Sequence, residues 1–258
     1  MTELHSVTLG SGDRVIFVHG DGSSQGGEMS FPEQRYLADE FELVFVDRHG
    51  FGSSSSIQHG DYREDAKDIA DLLGKGAHLI GESSGGLVCL LAAHYRPEAV
   101  KSLTVIEPPL VTMVRGDPAV ENLIKRFQHV YEFVTPKEFW TEWIGAFGYE
   151  KPTELELTEK ELQGIQATMT LKERFYELKI PLERLMEARF PKLIVSGAWN
   201  NESDLVRTTS GNVLRLVCDE LQTRLQAHRS VFENASHWPQ VETPNPFNNQ
   251  LREFLKSV

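Results

Sequence analysis

The chain lacks any apolar run approaching the ~18 residues that a membrane-crossing helix requires, so no helical membrane span is expected. Cysteine is scarce. The two present, Cys89 and Cys218, each lie inside an apolar helical stretch, where a buried reduced thiol is expected rather than a bridge, and no metal-ligand spacing accompanies them. Positive charge is short as well: 26 Lys and Arg face 38 Asp and Glu, a formal net charge of −12. Such a surface offers neither nucleic acid nor an anionic membrane the cations it would seek, and it reads as a solvated acidic exterior. The opening residues, Met1 to Ser6, show no basic stretch leading into an apolar one, which points to a cytoplasmic protein.

The rest of the composition is that of a globular chain. With 258 residues, 40% of them hydrophobic and 25% charged, it can bury a sizeable core without staples. Short apolar runs alternate with helical text: Arg14 to Val18, Leu43 to Val46, Ala77 to Ile80, Leu103 to Ile106, Lys192 to Val195 and Ser230 to Phe232 read as strands. Most are apolar throughout, as suits strands buried on both faces of a parallel sheet. Helices are expected over about Glu33–Glu40, Tyr62–Leu73, the run after Gly86, Leu205–Gln226 and Phe247–Leu255. From about Leu110 to Pro191 the alternation stops and the text is helical, with ten large aromatics between Phe127 and Tyr176. Aromatic stripes at helical spacing are more often core than pocket, so two or three are expected to face a ligand; Trp140, Trp143 and Trp238 are the candidates.

The chemistry points to one stretch, Gly81-Glu82-Ser83-Ser84-Gly85-Gly86, set between apolar runs that read as strand and helix. In a Gly-x-Ser-x-Gly elbow the serine takes a strained backbone and stands clear of the sheet as a nucleophile. The same turn sets the Ser84 amide and the positive end of the helix beside any oxyanion formed there. The pattern alone is weak, arising by accident about one time in ten in a chain this long. A second match, around Ser24, leads into a glycine-rich loop instead of an apolar helix, so context favours Ser83 over an N-capping serine. The loop His19-Gly20-Asp21-Gly22 ends a buried strand, where ligands bind in open α/β sheets. Given the elbow, the Asp21 amide is the candidate second oxyanion donor; His-Gly alone would be an ordinary strand-to-helix loop. Asp47 is expected to fix its own loop by local hydrogen bonds.

Together these residues resemble the α/β-hydrolase superfamily over essentially the full chain, in order as well as kind: His19-Gly20, the elbow at Ser83, then His237 after the last strand. The resemblance implies an α/β fold, a mostly parallel twisted sheet with helices on both faces and a helical cap inserted in it. Residues 1–109 and 191–258 would form the core and 110–190 the cap. The superfamily sheet has eight strands; because His19 comes too soon for a full N-terminal hairpin, about seven are expected here. Many members carry an aspartate after the strand that Gly197 ends, but here Asn200 follows Gly197-Ala198-Trp199, and an amide cannot hold a histidinium. Glu107 resembles the acid of variant members, although its position fits a loop carboxylate on backbone amides equally well. The resemblance thus implies a cofactor-free, metal-free serine hydrolase with Ser83, His237 and Glu107 as triad. Its substrate would be a small, partly apolar ester or lactone. A thioester or C–C bond hydrolase, or a non-catalytic binder on the same fold, remains the alternative.

Overall fold

The apolar runs become the strands of one seven-stranded sheet in the computed structural model, which describes residues 4–22, 30–55 and 58–258. Ser24 lies outside the described residues. The strands are β1 (Ser6–Leu9), β2 (Asp13–Val18), β3 (Phe41–Val46), β4 (Ala77–Glu82), β5 (Val100–Ile106), β6 (Lys192–Gly197) and β7 (His228–Phe232). They lie in the order β1-β3-β2-β4-β5-β6-β7, with β1 antiparallel to β3 and every other pair parallel.

Alternation along each strand supplies two apolar faces. Ile16 and Val18 of β2 join one cluster and Val15 and Phe17 the other. The first cluster is covered by α1 (Tyr62–Leu72), α2 (Ser84–Tyr95) and, further along the chain, the helix Asn212–Leu225. The second is closed by Phe31, Leu37 and the C-terminal helix Pro244–Lys256, through Phe247, Leu251 and Leu255. Each fully buried Leu, Ile, Val or Phe contributes roughly 1.5–3 kcal/mol against remaining in water. Helix α2 is apolar all round and buried from Ser84 to Ala93, which fixes the elbow in front of it.

Between β5 and β6 the chain forms no strand of the sheet. It runs through α3 (Pro118–Val130), α4 (Pro136–Ala146) and α5 (Glu159–Met169). Their N-termini are closed by Asp117, Thr135 and Thr158, which accept amide hydrogen bonds. Val120, Leu123, Ile124, Phe127 and Val130 form the buried stripe of α3. Phe127 stands at its centre, edge-on to Trp143, Phe147 and Phe175, with ring centroids 4.9 Å away in each case.

Two helical expectations need correction. Gln34–Asp39 is a 3-10 turn, too short and too tightly joined to β3 to continue as an α-helix. The stretch expected as one helix over 205–226 is broken: a turn at Asp204–Val206 passes through a π-helical segment, Arg207–Gly211, before α6 (Asn212–Leu225) begins. Packing explains the break, because Gly211 lies against the Trp199 indole, where a Cβ would sit 2.8 Å from the ring. No helix among the described residues is long and apolar enough to cross a membrane.

Candidate active site

The sheet order reverses direction between β2 and β4, and the crevice beyond the carboxyl ends of strands at such a switch point is where open α/β sheets bind ligands. Val18 pairs with Gly81, Glu82 with Ile106, and Ile106 with Val195. The loops after β2, β4, β5 and β6 are therefore neighbours at one edge, with the loop after β7 next in line.

Ser83 carries φ 50° and ψ −127°, a conformation an L-residue adopts at a cost of order 1–3 kcal/mol. Hydrogen bonds hold it there, from Ser83 N–H to the Ile106 carbonyl at 2.8 Å and from Gly86 N–H to the Ser83 carbonyl at 2.9 Å. Side chains at Gly81 or Gly85 would overlap the Gly85 and Val18 backbones, so the elbow closes only with glycine at both. Ser83 is half-buried and opens on a cavity of about 440 Å³ that Asp21, Ser84 and His237 also line.

His237 is brought to that cavity by the loop after β7. Glu242 pins the loop, accepting from the Ser236 amide at 2.9 Å and the Trp238 amide at 2.9 Å. On its far side the His237 Nδ1 lies 2.9 Å from Glu107 Oε2. Glu107 is fully buried at φ 45°, and its other oxygen accepts from the Trp199 indole N–H at 2.8 Å and the Gly197 amide at 3.1 Å. Burial alone would lower the His237 pKa; the hydrogen bond and charge of Glu107 outweigh it and hold the imidazole above its ordinary value. Burial pushes the Glu107 carboxyl up, against the pull of His237, Trp199 and Gly197.

The carboxylates of the next loop lie elsewhere. Asn200 bonds Glu233 at 3.0 Å, Glu202 accepts from the Tyr149 hydroxyl at 3.1 Å, and Asp204 pairs with Arg207.

Four neighbours of the site escaped the sequence reading. Arg48, 1% exposed, bonds Asp21 and Asp65 at 2.8 Å each and donates to Ser84 Oγ at 3.2 Å. It thereby ties together the side chains of the two residues read as oxyanion donors. Tyr62 donates to the other Asp21 oxygen. Glu82, beside the nucleophile, accepts from the Gly20 amide at 2.5 Å, and burial pushes its carboxyl up. Trp199, the donor to Glu107, is the fourth. The one available signal was Arg48 itself, a cation at the end of a strand buried on both faces. His19 accepts from the Arg48 amide at 3.0 Å through Nε2 and bonds the Gly20 carbonyl through Nδ1; burial and the Arg48 charge lower its pKa to about 4, so it is a neutral frame residue. Asp47 accepts from the Ser53 amide at 2.9 Å within its own loop.

Trp140, Trp143 and Trp238 all line the cavity. More aromatics of the helical segment do so than the two or three expected: Phe127, Trp140, Trp143, Phe147, Tyr149 and Phe175 each reach it. Phe127, Trp143, Phe147 and Phe175 meet edge-on and Trp140 stacks on Trp143, so one ring serves both core and wall. Cys89 and Cys218 are free and buried, and burial pushes both thiols up. Among the described residues no group of three or more His, Cys, Asp or Glu side chains is arranged to hold a metal ion.

Residues 15–250 match the sequence profile of a family described as the alpha/beta hydrolase family. The chain belongs to that family. Relatives within reach of sequence comparison include the 2-hydroxy-6-oxononadienedioate/2-hydroxy-6-oxononatrienedioate hydrolase of a Pseudomonas species, 27% identical over 98% of this chain and 91% of that protein. Lipase 1 of Psychrobacter immobilis is 26% identical over 98% of this chain and 84% of its own length. Among solved structures, a thermophilic esterase from Thermogutta terrifontis superposes with a TM-score of 0.71 at 22% identity, covering 99% of this chain and 94% of the other. That likeness shows the alpha/beta hydrolase fold, and with the profile match it makes this chain a member of a hydrolase family.

Proposed function

We propose that the chain is a cofactor-free carboxylic ester hydrolase that works through an acyl-enzyme on Ser83, with residues 110–190 as a cap over a core formed by 1–109 and 191–258. The observation that carries the reading is the 2.9 Å bond between His237 and a fully buried Glu107, at a cavity onto which a strained serine opens. In this mechanism Ser83 Oγ attacks the acyl carbon while His237 Nε2 takes its proton. The charged imidazole, stabilised by Glu107, then protonates the departing alkoxide. Water, deprotonated by His237, attacks the acyl-enzyme, and the proton returns to Ser83 as the acid leaves. The Ser84 and Asp21 amides receive the oxyanion, each contributing roughly 3 kcal/mol in sites of this kind.

The aromatic wall fits a small, partly apolar ester or lactone. The relatives named as lipase and esterase act on esters by name, and they support the ester reading. A second reading, C–C bond hydrolysis of an oxo-dienoate, is favoured by the relatives named as such hydrolases. Turnover of p-nitrophenyl butyrate against that of a phenyl-substituted oxo-dienoate separates the two. Ester turnover by the wild type, lost by at least about a thousandfold in Ser83→Ala with the fold intact, is the expected result. An active Ser83→Ala enzyme overturns the serine mechanism, and fluorophosphonate labelling of Ser83 without turnover of either substrate would indicate a binder.

A further inference from the structure

Among the described residues three carboxyl groups border the cavity, those of Asp21, Glu82 and Glu242. Two of them are fully engaged. Asp21 is held by Arg48 and Tyr62, and Glu242 by Ser236 and the Trp238 amide. Glu82 differs: it is 4% exposed, Oε1 takes the Gly20 amide, and Oε2 is buried with no hydrogen-bond partner among the described residues. Of the described lining residues only His237 is able to carry positive charge, and Glu107 already claims it.

We infer that Glu82 sets the charge class of the ligand: the cavity takes an aromatic or aliphatic compound that is uncharged or bears an amine, and it rejects one bearing a carboxylate. The inference rests on the reading of this cavity as the substrate site. A buried carboxyl oxygen without a partner is costly, and an entering ammonium or hydroxyl would relieve that cost by donating to it. An entering carboxylate would instead place a second negative charge among apolar rings, where water and salt screen little. Apolar contacts with Trp140, Trp143 and Phe147 are open to all such ligands equally, so charge decides among ligands of one shape. The oxo-dienoates of the second reading fall in the rejected class.

Isothermal titration of the full chain at about pH 8 with 4-phenylbutan-1-ol, 4-phenylbutylamine and 4-phenylbutanoate tests this, since the three share one apolar body and differ in charge. The carboxylate is expected to bind at least about 30-fold more weakly than the amine, and Glu82→Gln to shrink that gap about tenfold, because the amide keeps the Gly20 contact and loses the charge. A carboxylate that binds as tightly as the alcohol, a gap unchanged in Glu82→Gln, or no binding of any probe overturns the inference. If the variant fails to fold, the wild-type order decides alone. No bond is broken in this titration. A protein that ranks the probes as expected yet leaves every ester intact counts against ester hydrolysis only, and an active esterase with the order reversed counts against Glu82 only.

Discussion

Two buried ionic clusters flank the elbow, and they are built on opposite principles. Beneath the loop after β2, Arg48 is clasped between Asp21 and Asp65 and capped by the Phe51 and Tyr62 rings at 5.2 and 5.3 Å. Burial opposes its charge, but the two aspartates outweigh burial and hold the guanidinium permanently charged. On the other side Glu107 meets His237, whose charged form it favours against burial. In the proposed mechanism the first cluster fixes the backbone from which Asp21 and Ser84 would present their amides, and the second would hold a proton acceptor at the cavity. One is a frame and the other a working part, so the same kind of change should injure them differently.

Glu107→Gln is expected to produce the largest effect, a loss in kcat of up to about 10⁴-fold with little change in thermal stability, read by steady-state kinetics and a melting curve side by side. The variant should also move the pH profile. Because Glu107 holds His237 above its ordinary value, the active neutral imidazole accumulates only as pH rises through that raised value. Removing the charge leaves burial opposed only by the more distant Glu82 and Glu242 carboxylates, so the acid limb of kcat/KM should shift to lower pH. The linked stability has the opposite sense: a raised histidine stabilises the fold below its unfolded value of about 6.5, and that contribution fades as pH climbs through the folded one.

Arg48→Met comes next and should reverse the pattern. It strands two buried carboxylates and is expected to cost about 3–5 kcal/mol of stability, measured by urea unfolding. Equal stability losses in Glu107→Gln and Arg48→Met would erase the distinction between frame and working part. Trp199→Phe is a milder probe, removing the indole donor from Glu107 while keeping a ring. A loss in kcat of about tenfold is expected, with KM nearly unchanged, in line with a hydrogen bond to a charged group. The smallest effect belongs to the aromatic wall: Trp140→Ala should lower kcat/KM about threefold for an acetyl ester and about tenfold for a hexanoyl ester. A uniform loss would mean that Trp140 only packs α4.

The contrast also marks what can be read in the sequence. The strands, their alternation with helices and the elbow were legible because each is written in contiguous residues. The search for an acid at Glu107 rested on chemistry, since Asn200 carries no charge. Arg48, Glu82 and Trp199 were not legible, because their meaning lies in partners far away in the chain. Arg48 meets Asp21 and Ser84, Glu82 meets Gly20, and Trp199 meets Glu107 across 92 positions. The π-helical segment before α6 escaped for the same reason, as nothing near Gly211 announces the indole that packs on it.

All four tryptophans of the chain, Trp140, Trp143, Trp199 and Trp238, line the one cavity. The tryptophan emission of this protein, excited to the red of tyrosine absorption, therefore originates at the site. Trp199, buried and bonded to Glu107, should emit to the blue of the half-exposed Trp238. A compound entering between the rings will alter intensity and wavelength together, and the protein carries its own optical label for whatever it binds.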